Sequence, residues 1–154
     1  MKLKDLALVV VFASLYAVLT WILAPISFLQ IQFRVSEALK PAIAKKKVLC
    51  VAFMIGNFLA NLVSPFVGIF ELVFMPVVGN LIVGYLAYKF SNENYALAGF
   101  IFGTGVAICV SVMLVTLFNL PFLATLMTLW ISEMILMYLG TIIWQLIEKR
   151  WQWY

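Results

Sequence analysis

Residues 122–147, FLATLMTLWISEMILMYLGTIIWQLI, carry a single charged side chain, Glu133, in a run that is otherwise apolar or neutral. A bilayer's hydrocarbon core is about 30 Å thick and a helix rises about 1.5 Å per residue, so roughly 20 such residues cross it. This run has the length and composition of a membrane-spanning helix. Working back toward the amino terminus, turn signals fall at Asn119 and Pro121, at Ser91-Asn92-Glu93-Asn94, and at Ser64-Pro65 with Gly68. They divide the chain into further apolar stretches, giving expected spans over residues 5–24 (stopped by Pro25), 47–63, 69–88, 95–118 and 122–147. Residues 26–33 read as a loop in which Gln30 and Gln32 alternate with apolar neighbours, and residues 34–44 as a short helix.

Composition leads the same way. In 154 residues, 66% are hydrophobic and 10% charged, with a mean hydropathy of +1.14, which leaves too little polar surface to coat a water-soluble globule. The expected fold is an all-α integral membrane protein, a compact bundle of about six transmembrane helices with a short second helix. Residues 1–154 form a single transmembrane domain in this reading, with no room for a soluble one. The first apolar stretch follows Lys2 and Lys4 as in a signal peptide but lacks a small-residue cleavage site, so it reads as a retained helix. The net charge of +4 comes from short basic clusters between apolar runs and not from an extended basic face, which argues against nucleic acid. Cys50 and Cys109 lie far apart inside apolar runs and read as buried, inert thiols.

Segment 34–44 is short for a crossing. If it crosses, both termini are cytoplasmic, and every Lys and Arg except Arg34 faces inward, Lys40 and the Lys45-Lys46-Lys47 run included. If it does not, Lys2 and Lys4 lie outside and the rest inside. The bias of basic residues toward the cytoplasm favours the crossing.

Ionisable groups at membrane depth are costly unless paired or solvated, so each is a candidate for function. Glu133 lies roughly 17 Å along its helix, near the midplane. Trp130 shares its face, followed by Met137 and more loosely Trp144, so a flat ligand could meet a carboxylate and an aromatic surface together. Glu71 stands at the start of its span, where a capping carboxylate is also favoured. Pro76 should kink that helix. Asn80, nine residues beyond Glu71, points to the opposite face of a straight α-helix.

Asn57 and Asn61, spaced i,i+4, line one face and could bond neighbouring helices or a heterocycle. Arg34 and Glu37 lie one turn apart and are expected to neutralise each other. Ala13 and Ala17, with Ser14 beside them, and Gly99 with Gly103, are small-xxx-small pairs that let helices approach closely. Trp151, Trp153 and Tyr154, after Lys149 and Arg150, read as an interfacial belt. The chain has no G-x-x-x-x-G-K-[ST] loop, no histidine and no cluster able to hold zinc, so neither ATP hydrolysis, nor a metal, nor a cofactor is expected of it. Matching broken helices in two halves, the mark of many secondary transporters, are absent too.

Ala24-Pro25-Ile26-Ser27, then Ile31-Gln32-Phe33-Arg34-Val35-Ser36-Glu37-Ala38-Leu39, and later Gly56-Asn57-x-x-Ala60-Asn61, resemble the QueT family. Its members are substrate-binding S components of energy-coupling factor transporters. The resemblance implies a non-enzymatic importer subunit with cytoplasmic termini in the cell membrane. Its Ala13/Ala17 face would dock on a coupling T component joined to two cytoplasmic ABC ATPases. The implied substrate is a queuosine precursor of the 7-deazaguanine type. Such a ring offers an N1 hydrogen and a 2-amino group to one carboxylate, for which Glu133 is the first choice, with Trp130 stacking. Glu71 would meet the ammonium of an aminomethyl derivative, and Asn57, Asn61 and Gln32 would read the carbonyl and ring nitrogens. A self-sufficient carrier, an S component for another heterocycle, or a scaffold without ligand are the competing readings.

Overall fold

The computed structural model describes residues 2–28 and 33–154. All regular structure among them is helical: α1 Leu3–Ile22, α2 Ala24–Ser27, α3 Val35–Ala44, α4 Leu49–Asn61, α5 Phe70–Phe90, α6 Tyr95–Phe118 and α7 Phe122–Arg150. Of these, α1, α5, α6 and α7 are long and apolar enough to cross a membrane, and α4 is a shorter apolar helix. The expected boundaries fall within a few residues of the observed ones, and α6 agrees at both ends. Two differences matter. Pro25 opens the short α2 instead of simply ending α1, and the expected loop residues Gln30 and Gln32 lie outside the described residues.

Lipid-type surfaces and a sealed interior follow from the apolar pattern. Val10, Leu15 and Val18 of α1 and Ile131, Ile135 and Leu139 of α7 are exposed, as residues facing hydrocarbon would be. Inside, Phe12, Phe53 and Phe102 link α1, α4 and α6 by edge-on ring contacts at 6.0 and 6.1 Å. Each such pair adds about 0.5–1.5 kcal/mol beyond the area it buries. Ala13 and Ala17 are buried as well. A Cβ placed on Gly56 would lie 3.0 Å from the Ala13 carbonyl oxygen, so this small-residue face closes α1 against α4 within the chain. In this conformation it is not an open surface. Gly99 and Gly103 likewise serve internal packing, against Met137 of α7.

Helices α3 and α5 depart from α geometry, each around a proline. α3 is a 3₁₀ helix, whose rise of about 2.0 Å per residue stretches ten residues over about 20 Å. In its i→i−3 ladder, Pro41 cannot donate to the Ala38 carbonyl. The Trp144 indole N–H donates to that oxygen instead, at 3.2 Å. α7 reaches it because Gly140 stands opposite: a Cβ there would collide with the Ala38 carbonyl. Gly140→Ala is therefore expected to push α7 off α3 and cost about 1–3 kcal/mol, the usual range for overpacking, even though alanine is the better helix former. Thermal unfolding of the purified protein in detergent checks this, and an unchanged or raised midpoint would refute the contact.

α5 is π-helical from Phe70 to Ile82 and α-helical from Val83 to Phe90. Its ladder runs i→i−5, so the carbonyl that Pro76 leaves without a donor is that of Glu71. Asn61 of α4 supplies the missing donor through Nδ2 at 2.8 Å. The same substitution of a side-chain donor for a proline's absent N–H thus ties α7 to α3 and α4 to α5.

The tail is only in part the surface belt expected from its composition, with Trp151 alone of its aromatics well exposed. Trp153 is buried, with its ring 5.0 Å from Trp144 and 5.6 Å from Phe12, and it joins the core. Tyr154 donates its hydroxyl to Glu148, which also pairs with Lys45 at 3.0 Å, so the chain end is fastened beside the α3–α4 turn.

Candidate functional site

A 3₁₀ helix eclipses residues three apart, so Arg34, Glu37 and Lys40 stand in one row along α3 and its first cap. All three are buried, at 6%, 2% and 0% exposure. Glu37 pairs with Lys40 at 2.5 Å and accepts a hydrogen bond from the Tyr16 hydroxyl of α1. The expected Arg34–Glu37 pair is replaced by Glu37–Lys40, because Arg34 turns to Asn61 and donates from Nη1 to its Oδ1 at 3.1 Å. Arg34 also lies over the Phe28 ring, 5.1 Å from its centroid. Lys40, expected among the cytoplasmic cations, instead lies inside the bundle, 4.6 Å from the Phe102 centroid and 5.5 Å from that of Tyr16. Aromatic faces and a carboxylate take the place of water around its ammonium.

From this row the polar network spreads across the bundle. Asn57 donates to the Tyr16 hydroxyl at 3.3 Å, and Asn61 donates to Asn57 Oδ1 at 3.2 Å. Thr20 and Ser36 share a hydrogen bond at 2.7 Å. The amide of Asn61 therefore has its oxygen and its nitrogen engaged, and the interhelical reading of Asn57 and Asn61 describes their contacts. A substrate would have to share them.

The carboxylates behave otherwise. Among the described residues, both Glu71 oxygens, Glu133 Oε2 and Asn80 Oδ1 are buried without a well-formed hydrogen bond. The Ser64 hydroxyl stands beside Glu71 as a donor to its carboxylate. Glu71 is 1% exposed and lies in the first turn of α5, where the helix dipole favours a carboxylate, so a structural role stands beside binding. Asn80 rejoins Glu71 through the π geometry: at about 4.4 residues per turn, nine residues make roughly two turns and return to the same side. The buried residues of this stretch, Glu71, Met75, Pro76, Gly79 and Asn80, follow that period. Only α-helical arithmetic sets Asn80 apart from Glu71. Arg34 lies within electrostatic reach of both Glu71 and Glu133, without forming an ion pair with either.

Trp130 is half-buried at the α6–α7 contact, where its indole N–H donates to Thr104 at 3.1 Å and its ring meets Phe100 edge-on. Glu133 sits one turn further along α7, facing the bare backbone of Gly103, where a Cβ would lie 3.6 Å from its own. Among the described residues the interior thus holds five side chains of the acidic and basic kinds. With all of them charged, Arg34 and Lys40 stand against Glu37, Glu71 and Glu133, an excess of one negative charge. Among the described residues no group of His, Cys, Asp and Glu is arranged to hold a metal. Gln32, the remaining candidate, lies outside the described residues.

A family model described as QueT transporter matches residues 6–149. The chain belongs to the QueT transporter family. It is accordingly a multi-pass membrane protein that transports a small substrate. Neither the curated proteins nor the solved structures contain a match. In this QueT chain, the matched region takes in the whole buried network from Tyr16 to Glu133. Tyr16, Thr20, Ser36, Lys40 and Asn80 are the members that sequence reasoning did not place in it. For Lys40 the signal was present in the Arg34-x-x-Glu37-x-x-Lys40 spacing, which lines up once α3 is wound with three residues per turn.

Proposed function

We propose that this protein is the substrate-specific S subunit of an energy-coupling factor importer, which captures a 7-deazaguanine precursor of queuosine from outside. The observation that carries this reading is the surplus of acceptors: among the described residues Glu133 Oε2 and Asn80 Oδ1 are buried without a hydrogen bond, and the two Glu71 oxygens have only the Ser64 hydroxyl beside them. Buried acceptors are nearly always satisfied, so a donor-rich ligand is the natural complement. A deazaguanine supplies an N1 hydrogen and a 2-amino group to one carboxylate, and Glu133 suits that edge. Its aminomethyl form adds an ammonium that would neutralise the excess negative charge, and Glu71 suits that end. Trp130 offers the aromatic neighbour, with Asn57, Asn61, Gln32 and Arg34 around the ring and Glu37 in support.

The six-span architecture belongs to the same proposal, as one transmembrane domain over residues 1–154 with both termini cytoplasmic in the cell membrane. The extra length of a 3₁₀ helix supports a crossing by α3, since about 20 Å is two thirds of a core about 30 Å thick. Transport would be driven by a coupling T component and two cytoplasmic ATPases. Docking on Ala13 and Ala17 would require α1 to move away from α4. Mass spectrometry of the ligand released from gently purified protein tests the substrate. A deazaguanine is expected, and no bound heterocycle, or one without a donor edge, would overturn the assignment. Uptake into liposomes by the isolated chain should be absent, and uptake without ATP or partners would favour a self-sufficient carrier.

A further inference from the structure

A second site lies apart from the buried network, at the end of the bundle that carries the amino terminus. A cavity of about 980 Å³ is walled there by Lys45, Lys46 and Lys47 of the α3–α4 turn, by Tyr85 and Tyr88 of α5 and by Asp5 of α1. The charges do not cancel. Lys45 is taken by Glu148 at 3.0 Å, and Asp5 offsets one more cation, which leaves one positive charge in excess on the lining. Lys46 makes no ion pair among the described residues, and Lys47 rests over the Tyr85 ring at 4.9 Å.

The same cavity has an apolar side. Val51 and Ile82 line it and are themselves exposed, at 37% and 49%, on the surface that faces hydrocarbon in a spanning bundle. A water-soluble anion would have no use for that wall, whereas a lipid would lay an acyl chain along it. Tyrosines at such a boundary place their rings in the apolar layer and their hydroxyls toward the headgroups. Basic pockets between helices at a membrane face are a recurring headgroup site.

We propose that this cavity binds one anionic phospholipid. Its phosphodiester lies against Lys46 and Lys47, its glycerol lies near the Tyr85 and Tyr88 hydroxyls, and an acyl chain runs along Val51 and Ile82. A single phosphodiester charge matches the excess on the lining. The tie of Lys45 to Glu148 and the chain end means that an occupied site would also brace the α3–α4 turn against α7.

The test uses the purified full chain in mild detergent, supplemented with phosphatidylglycerol, phosphatidylcholine or inorganic phosphate. Phosphatidylglycerol is expected to raise the thermal midpoint by several degrees more than phosphatidylcholine, and native mass spectrometry should retain one molecule of it. Millimolar inorganic phosphate should do nothing. The Lys46→Ala/Lys47→Ala variant should lose the retained lipid and the extra shift, while Lys46→Arg/Lys47→Arg keeps both. Equal effects of the two lipids, retention of phosphatidylglycerol by the alanine variant, or a shift reproduced by phosphate alone would each overturn the proposal. If a variant folds poorly, the mass spectrum of the unaltered protein still decides: one retained phosphatidylglycerol supports the site, and none refutes it.

Discussion

Glu133→Gln is expected to weaken the binding of a 7-deazaguanine by about 100-fold, near 2–3 kcal/mol, while the protein remains folded. The size follows from what the substitution does to a buried donor pair. A carboxylate accepts both the N1 hydrogen and the 2-amino group in a charge-assisted bond, whereas the glutamine amide turns one acceptor into a donor aimed at a donor. Volume hardly changes, so the helix contact with Gly103 survives. Removing the carboxylate also relieves its burial, so stability should hold or rise, which separates a binding defect from a folding defect. Titration calorimetry on the purified protein, paired with thermal unfolding, gives both quantities. A dissociation constant unchanged in Glu133→Gln and in Glu133→Ala would remove Glu133 from the site, and the substrate's donor edge would need another partner.

Much of the fold was legible because a bilayer demands long apolar helices and these are hard to disguise. The α6 boundaries follow from Asn94, which caps the helix with its side chain, and from Asn119, which leaves it in a left-handed conformation. What could not be read was the winding of α3 and α5. Propensity and spacing assume about 3.6 residues per turn, and both helices abandon that period around Pro41 and Pro76 because donors from other helices, Trp144 and Asn61, make the altered ladders tolerable. These donors lie 106 and 10 residues from the carbonyls they reach, those of Ala38 and Glu71, beyond any local rule. The candidate site inherits the same limit. Glu71 and Glu133 announced themselves as charges in apolar runs, yet Lys40 counted as a cytoplasmic cation of the short helix and Asn80 as a residue on the wrong face until the turns were counted correctly. Ala13 and Ala17 show the converse: a small-residue pair marks a close approach without saying whether the neighbour belongs to the same chain.

The Glu37–Lys40 pair should govern stability more than any other polar contact. In Glu37→Ala the Lys40 ammonium is left fully buried without its counter-charge, and the Tyr16 hydroxyl loses its acceptor. Breaking a buried pair from one side costs about 3–5 kcal/mol, a large part of the stability of a small domain. The purified variant should melt far below the unaltered protein in detergent or fail to accumulate. Lys40→Met placed on top of it should restore most of the loss, since methionine fills the space beside Phe102 and the unpaired ammonium is gone. A double-mutant cycle over the two positions then reads the coupling directly. If Glu37→Ala is as stable as the parent, or the double variant is no better than the single, the pair does not hold the bundle together. Binding measured on the rescued double variant distinguishes a supporting frame from a direct contact. Retained affinity for the deazaguanine would make the α3 row the frame against which Glu71 and Glu133 are held, whereas lost affinity in a stable protein would mean that Glu37 and Lys40 touch the ligand themselves.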